Sequence, residues 1–492
     1  MKYFSLSLIF LFLIAFSGCE KKLDVVPSSQ TTEDLALSTV DGMDGALSFA
    51  YQLMHQYIGR PSILWSEALA DHFYYSGTIQ NFSNFYNRNL VAVVEERVSA
   101  TDQRVVAMVS LSNLYKAINT ASLIIRAIDL GYANGDVAFP ANKDRLLGES
   151  YFIRAALRFD ILRFYAKAWG ASAGNAHPGI VVNLEAVDDR VSQVKARSTV
   201  AEVYDYIIAD LQQAAALLPD DYNGALHPAA YYGRTYKDGA RAYLARVYFQ
   251  QQDYARAKEQ INLILGVTAG TLSRHPLESG DITRLYKTRG PADTNPEILL
   301  QTTSALNISG LSRYWNSATE SIYGLSPSLA SSARATISFI QDAHFYSSDL
   351  RYTQLFRQGT EGLIPNKYSF SADFNQPLIR SAEMVLDRAE INAMDGNLPD
   401  ALSDCNLIRS RASIPLLSES IIQTALLDSI RVERIRELCF EGDRLWNLKR
   451  MMQVIPPGQR TGISPLPWNG NELVFKFSSE EISKNPLLEN NY

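Results

Sequence analysis

Aromatic and amide side chains are concentrated between His72 and Arg88, a stretch that reads HFYYSGTIQNFSNFYNR. Aromatic rings can cover the C–H face of a pyranose, while amide groups satisfy its hydroxyls in fixed directions. This composition suits a sugar ligand. The candidate ligand-binding residues are Phe73, Tyr74, Tyr75, Asn81, Phe82, Asn84, Phe85 and Tyr86. Alternatively, the rings pack a loop onto neighbouring helices, and the sequence leaves both interpretations open.

A second group of the same character lies near the middle of the chain, where its rings either pack a loop onto the helices or form a second wall of the same pocket. Its members are Tyr314, Trp315, Asn316 and Tyr323. A ring that covers roughly 50–100 Å² of sugar face contributes about 1–2.5 kcal/mol. Two or three such rings with hydrogen bonds give roughly millimolar to micromolar affinity, which suits capture and release.

Motifs for catalysis are missing from the sequence. It has no H-E-x-x-H, no G-x-S-x-G, no Gly-rich phosphate loop and no Cys pair at metal spacing. The pairs Asp342/Asp349 and Glu437/Glu441 could serve a glycosidase, but chance pairs are common among 52 acidic residues. We therefore predict no catalytic residue, metal ligand or cofactor, and a protein that is not an enzyme.

The N-terminus has the marks of a lipoprotein signal. Lys2 precedes an apolar run, residues 6–16, that is too short to span a bilayer comfortably, and Ser17-Gly18-Cys19 follows. We predict a signal peptide over residues 1–18, a lipid on Cys19 that anchors the chain to a membrane, and a flexible tether over 19–30. An ordinary secretory signal is the alternative.

Charge and cysteine content narrow the partners and the bonding. The formal net charge is −6 and no basic cluster interrupts the chain, so nucleic acid is not a predicted partner. Cys405 and Cys439 fall within helical patterns, which favours two buried thiols over a disulfide.

The elements that must position the candidate site are mostly helices. Residues 240–250 and 254–265 read as a helix pair whose small Ala245 and Ala257 allow close approach, and residues 382–411 repeat the pattern. Such pairs resemble tetratricopeptide units, which must stack on neighbours. We predict a mainly α fold: a tetratricopeptide-like helical superhelix with a large irregular, loop-rich ligand-binding portion.

We predict a single body over residues 31–492. Helical repeats occupy about 31–265 and 379–450, an irregular insert occupies about 266–378, and a loop-like tail occupies 451–492. The insert is aromatic as well as irregular, which favours a functional region over disorder.

The C-terminal third resembles the SusD/RagB family. The resemblance rests on IRSAEMVLDRAEINAMDGN and LIRSRA, on VERIRELCFEGDRLWNLKR, and on the later Pro465-Leu466-Pro467 and Asn485-Pro486-Leu487. Within the second block, Arg434, Glu437, Glu441 and Arg444 follow helical spacing, which predicts two opposite-charge pairs on one helix face with a structural role.

The resemblance implies a nutrient-binding lipoprotein of the outer membrane, exposed at the cell surface. It also implies a partner, a SusC-like TonB-dependent transporter that receives the captured oligosaccharide. Capture of peptides is the alternative within the same family. A hydrolase and a scaffold that binds only proteins are the alternatives from other classes.

Overall fold

The computed structural model describes residues 33–75, 85–90, 111–187, 194–228, 233–290, 292–303, 333–359, 362–367 and 375–491. Several predictions fall outside these residues, namely the signal peptide, the tether, Cys19, Asn81, Phe82, Asn84, Tyr314, Trp315, Asn316 and Tyr323.

Helices dominate the described residues. In chain order they are α1 (Glu33–Ala36), α2 (Val40–Tyr57), α3 (Ile63–Leu69), α4 (Leu111–Asp129), α5 (Phe139–Tyr165), α6 (Val200–Leu217), α7 (Lys237–Gln250), α8 (Tyr254–Leu265), α9 (Ile337–Ala343), α10 (Leu350–Leu355), α11 (Ser381–Met394), α12 (Leu398–Arg411), α13 (Gln423–Leu438), α14 (Arg444–Arg450) and α15 (Ser479–Lys484). A π-helical turn, Ile58–Ser62, joins α2 to α3.

Six short strands form three antiparallel pairs among the described residues. They are β1 (Phe73–Tyr75), β2 (Ile298–Gln301), β3 (Ala333–Ala335), β4 (Phe356–Gly359), β5 (Gly362–Pro365) and β6 (Pro377–Arg380). Strand β1 pairs with β3, β2 with β6, and β4 with β5. All but the first of these strands lie between α8 and α11, so the sheet pairs belong mainly to the less regular middle of the chain.

The helices pack in sequence as an array. Helix α4 packs on α5, α5 on α6, α6 on α7 and α7 on α8, and α8 then contacts α11, which packs on α12 and α13. At the α7–α8 contact Ala245 and Ala257 are fully buried, as expected where two helices approach closely. Stacked helix pairs of this kind confirm the predicted tetratricopeptide-like fold.

Local sequence signals explain where several helices begin and end. Thr199 and Glu202 form a reciprocal capping box at the start of α6, and Asp253 accepts a hydrogen bond from the Arg256 N–H at the start of α8. Pro219 follows the end of α6, where its ring prevents further helical hydrogen bonding. These caps lie in the sequence itself, which is why the helix bounds could be anticipated.

Helix α5 crosses the centre of the molecule and is buried nearly all round. Its arginines therefore need partners inside the protein: Arg154 and Arg158 both donate to the Asp210 carboxylate on α6, at 2.6 Å and 2.9 Å. Cys405 and Cys439 are buried and free, as the sequence predicts. None of the described helices is long and apolar enough to cross a membrane.

Candidate functional site

Strands β1 and β3 pair with each other, and β1 carries three of the candidate ligand-binding residues. Phe73 faces Ala335, Tyr74 faces Arg334 and Tyr75 faces Ala333 in the antiparallel register. In the sequence, the first candidate segment continues past the end of β1, and the second ends at Tyr323, before β3 begins. The two paired strands are over 250 residues apart in the sequence.

The described aromatic candidates are mostly buried. Phe73, Tyr75, Phe85 and Tyr86 are at most 5% exposed. The Tyr86 ring lies 6.1–6.3 Å from the rings of Phe73, Tyr74 and Tyr75, mostly edge to face. These four side chains thus pack the segment onto the body, which is the alternative interpretation of the sequence, and ligand contact by them stays a prediction.

Tyr74 differs from the other described candidates because part of its side chain remains accessible. The Arg334 guanidinium lies 4.1 Å from the centroid of the Tyr74 ring, which is cation–π distance. Sequence reasoning missed Arg334, since nothing near it in the sequence shows that β3 would pair with β1. A ring next to a charged group at a strand edge can bind a polar ligand, and Tyr74 is the described candidate best placed to do so.

Two buried arginines fix the chain beneath this edge. Arg460 donates from Nε to the Tyr86 carbonyl at 2.6 Å, and its guanidinium lies 4.2 Å from the Tyr86 ring centroid. Arg88 donates to the carbonyls of Leu69 and Pro456, at 3.1 Å and 2.6 Å. Burial, together with the charge of Arg460, lowers the pKa of Arg88 to about 9. The two arginines therefore hold the backbone around Tyr86 and Arg88 in place through charge-assisted hydrogen bonds to carbonyl oxygens.

Asp71, His72 and Asp342 form a cluster next to β1 with atoms of the type that bind metal ions. His72 Nε2 lies 3.0 Å from Asp342, and Arg444 bonds both Asp71 oxygens at 2.9 Å. Burial would raise the pKa of Asp71, but His72 and Arg444 outweigh it and lower that pKa to about 2. Because Arg444 already forms ion pairs with both Asp71 and Asp342, we assign the cluster a structural role.

The charged residues of the VERIREL block are buried in a larger ion network. Arg380, just before α11, bonds Glu297 at 2.5 Å, Glu437 at 2.9 Å and Glu441 at 2.8 Å. Arg434 pairs instead with Asp387 and Asp443. These contacts agree with the predicted structural role, because a buried charge needs an oppositely charged partner.

The predicted pairing within that block is wrong. Helix α13 ends at Leu438 because Phe440 and Gly442 adopt positive φ values of 62° and 87°. Glu441 and Arg444 therefore leave the face that carries Glu437, and each finds its partner in a distant segment.

The carboxylate pairs considered for glycosidase chemistry are engaged elsewhere. Asp349 is bound by Arg351 at 2.7 Å. Burial would raise the pKa of Glu441, but the charges of Arg380 and Lys367 lower it to about 2. A general acid needs a proton near neutral pH, so an ionised Glu441 held by two cations does not fit that role.

Two family models match this chain. One, described as "Starch-binding associating with outer membrane", matches residues 21–249, and the other, described as "SusD family", matches residues 351–491. Together they span about three quarters of the 492 residues. The chain belongs to the SusD/RagB family.

Full-length relatives and solved structures agree with this. SusD-like protein P38 of Formosa agariphila is 23% identical over 544 aligned positions, which cover 100% of this chain and 99% of that protein. A SusD superfamily protein from Bacteroides thetaiotaomicron superposes with a TM-score of 0.74 at 19% identity, covering 92% of this chain and 100% of its own. A putative sugar binding protein from Bacteroides vulgatus gives 0.72 at 20% identity, covering 92% and 98%. The structural likeness shows that the fold is that of the SusD superfamily.

Membership defines the broad role of the chain. Proteins of the SusD family are binding proteins associated with the outer membrane, and the chain has a SusD-like nutrient-binding role. The predictions of family and fold are confirmed.

Proposed function

We propose that this SusD-like protein captures an oligosaccharide at the cell surface and passes it to a SusC-like TonB-dependent transporter without cleaving it. One observation carries the ligand-binding part of the proposal. Strand β1 opens the segment rich in aromatic and amide residues, and its pairing with β3 places the Arg334 guanidinium 4.1 Å from the centroid of the partly accessible Tyr74 ring, where a polar ligand can bind.

Family membership supports the choice of an oligosaccharide as the ligand and of a transporter as the partner in this proposal. One matching family model is described as starch-binding, and the putative sugar binding protein from Bacteroides vulgatus shares the fold. The engaged carboxylates of Asp349 and Glu441 support binding without hydrolysis. The lipid on Cys19, at the end of the predicted signal peptide, would hold the protein at the outer membrane and next to its transporter.

A binding screen tests the choice of ligand. The purified protein is screened against neutral and acidic glycans and against peptides, and hits are measured by calorimetry. We expect glycan binding in the millimolar to micromolar range, as roughly two or three ring contacts would give. Peptide hits without glycan hits would contradict the proposal and favour the alternative within the family.

A second pair of experiments tests handover and turnover. Affinity purification in mild detergent should recover a TonB-dependent barrel together with the tagged protein. Recovery of the protein alone, under conditions that keep other outer-membrane complexes intact, would argue against the partner. Incubation with a bound glycan should release no new reducing ends, and sustained release that a single carboxylate substitution removes would establish an enzyme instead.

A further inference from the structure

A small cavity, none of whose lining residues belongs to β1 or β3, lies where the C-terminal end of α5 meets α6, α7 and α14. Its volume is about 30 Å³. That is roughly the room of two water molecules, enough for a small ion or the carboxylate group of a small organic acid. The cavity is lined by Leu162, Arg163, Lys167, Ala168, Trp169, Tyr204, Gln250, Trp446, Lys449 and Arg450.

The lining of this cavity is cationic and aromatic. Four of its residues are Lys or Arg, and none is Asp or Glu. Two of the four cations already have a carboxylate: Arg163 pairs with Asp160, and Arg450 pairs with Glu390 at 2.8 Å. Within the described part of the chain, Lys167 and Lys449 have no carboxylate partner. The cavity therefore carries positive charge that the described residues do not neutralise.

Lys449 is the least satisfied of these cations. It is 3% exposed, and its ammonium has three N–H donors. In the described residues its hydrogen bond is a long one, 3.3 Å to the Leu473 carbonyl, and its Nζ lies 4.8 Å from the Trp446 ring centroid. Burial of an ammonium without a counter-ion is costly. Accordingly, burial and the charge of Arg163 lower the pKa of Lys449 to about 7.

Arg163 approaches the same ring. Its guanidinium carbon lies 4.8 Å from the Trp446 centroid, and its Nε is buried with no hydrogen-bond partner in the described residues. A buried donor left without a partner is uncommon in folded proteins and needs a physical explanation. Arg163 and Lys449 thus contact the same indole ring and line the same cavity. Both have N–H donors left over, so the site can accept a negatively charged ligand.

We propose that this cavity binds a small anion, either a halide ion or the carboxylate group of a small organic acid, between Lys449 and Arg163. An anion there would accept hydrogen bonds from both side chains, and charge-assisted bonds of this kind are short and strong. Trp169 and Tyr204, whose rings lie 4.9 Å apart, close the side of the cavity formed by α6. This proposal does not rest on the proposed function.

Salt-specific stabilisation of the purified protein tests the proposal. Thermal unfolding is followed in sodium chloride, sodium acetate or sodium gluconate at equal ionic strength, with gluconate as an anion too large for the cavity. We expect a saturable rise in melting temperature with chloride or acetate over gluconate. A response to chloride identifies a halide site and a response to acetate a carboxylate site, whereas equal curves in all three salts would overturn the proposal.

A matched pair of variants locates the effect. Lys449→Met keeps an unbranched side chain that is one atom shorter and removes its charge, and it should weaken the apparent anion affinity at least tenfold. Lys116→Met makes the same change at an exposed position on α4 and should leave the affinity unchanged. An unaltered response in Lys449→Met would refute the assignment.

A further measurement needs no variant. Crystals of the native protein soaked in sodium bromide should show anomalous scattering between Lys449 and Arg163. Bromide absent from this cavity, in crystals where it occupies other positions, would count against the halide. Acetate-specific stabilisation that Lys449→Met removes would then establish the carboxylate.

Discussion

Replacement of Glu67 by Gln should stabilise the protein at neutral pH. Glu67 lies on α3, is 2% exposed, and accepts a hydrogen bond from the Gly442 N–H at 2.7 Å through Oε1. Its Oε2 has no hydrogen-bond partner among the described residues. Burial, only partly offset by the Gly442 hydrogen bond, raises the pKa of Glu67 from its ordinary value of 4.5 to about 8.

The sign and size of the effect follow from that pKa. At pH 7 Glu67 holds a proton in the folded protein, whereas the unfolded chain has lost it. The unfolded state therefore binds fewer protons, and stability falls as the pH rises from about 4.5 to about 8. At about 1.36 kcal/mol per pH unit, the loss between pH 5 and pH 7.5 is about 3 kcal/mol. Gln keeps the acceptor for Gly442 and cannot ionise, so Glu67→Gln removes this loss.

Urea unfolding of the native protein and of Glu67→Gln at pH 5 and pH 7.5 measures the effect. The advantage of the variant in free energy of unfolding should grow by about 3 kcal/mol between the two pH values. Glu259→Gln, at an exposed position on α8, is the control and should show no such growth. An advantage of equal size at both pH values would refute the reasoning, because the gain would not come from ionisation of Glu67.

Four further substitutions test other parts of the molecule. Tyr74→Ala should weaken glycan binding by about 1–2.5 kcal/mol in calorimetry without lowering the melting temperature. Phe73 is fully buried, so Phe73→Ala should instead lower the free energy of unfolding by about 3–5 kcal/mol. Loss of stability without loss of affinity in Tyr74→Ala would make this ring a packing residue. Cys19→Ala should release the protein from membranes, and unchanged membrane retention and mass would exclude the lipid. Glu437→Gln should cost about 3–5 kcal/mol in chemical unfolding because it leaves the buried Arg380 short of charge, and a neutral result would show that the network is dispensable.

The helices could be predicted from the sequence because their signals are local. The predicted pair over residues 240–250 and 254–265 matches α7 and α8 to within three residues at the start of α7. The turn between them carries Asp253, which caps α8. Apolar spacing, small residues at the contact and a capping side chain all lie within one stretch of about 30 residues, so no knowledge of distant segments is needed.

The charged block and the aromatic segment show where such reasoning stops. The spacing of Glu437 and Glu441 suggested that both lie on one helix face. However, the helix ends at Leu438 because Phe440 and Gly442 adopt positive φ values, so Glu441 lies beyond it. The partner of Glu441, Arg380, lies 61 residues away, and no local pattern reveals it. Likewise, the density of rings near Phe73 signals burial and ligand contact equally well. Only the tertiary surroundings separate a core ring from a partly exposed one such as Tyr74.

The contacts that join α3 and β1 to the C-terminal quarter determine how the chain must fold. Glu67 with Gly442, Asp71 with Arg444, and Arg88 with Pro456 each bridge about 370 residues. The entropy of closing a loop of that length costs roughly 5 kcal/mol, but the cost is met once and shared by all the contacts that close with it.

These bridges also connect the two stretches that the separate family models match. Residues 21–249 contain one half of each bridge, and residues 351–491 contain the other. Cut apart, each piece would expose buried charges such as Asp71 and Arg444 that lack their partners. We therefore expect the whole body to fold as one unit, and a chain nicked in its middle to stay together as one non-covalent complex that unfolds in a single step.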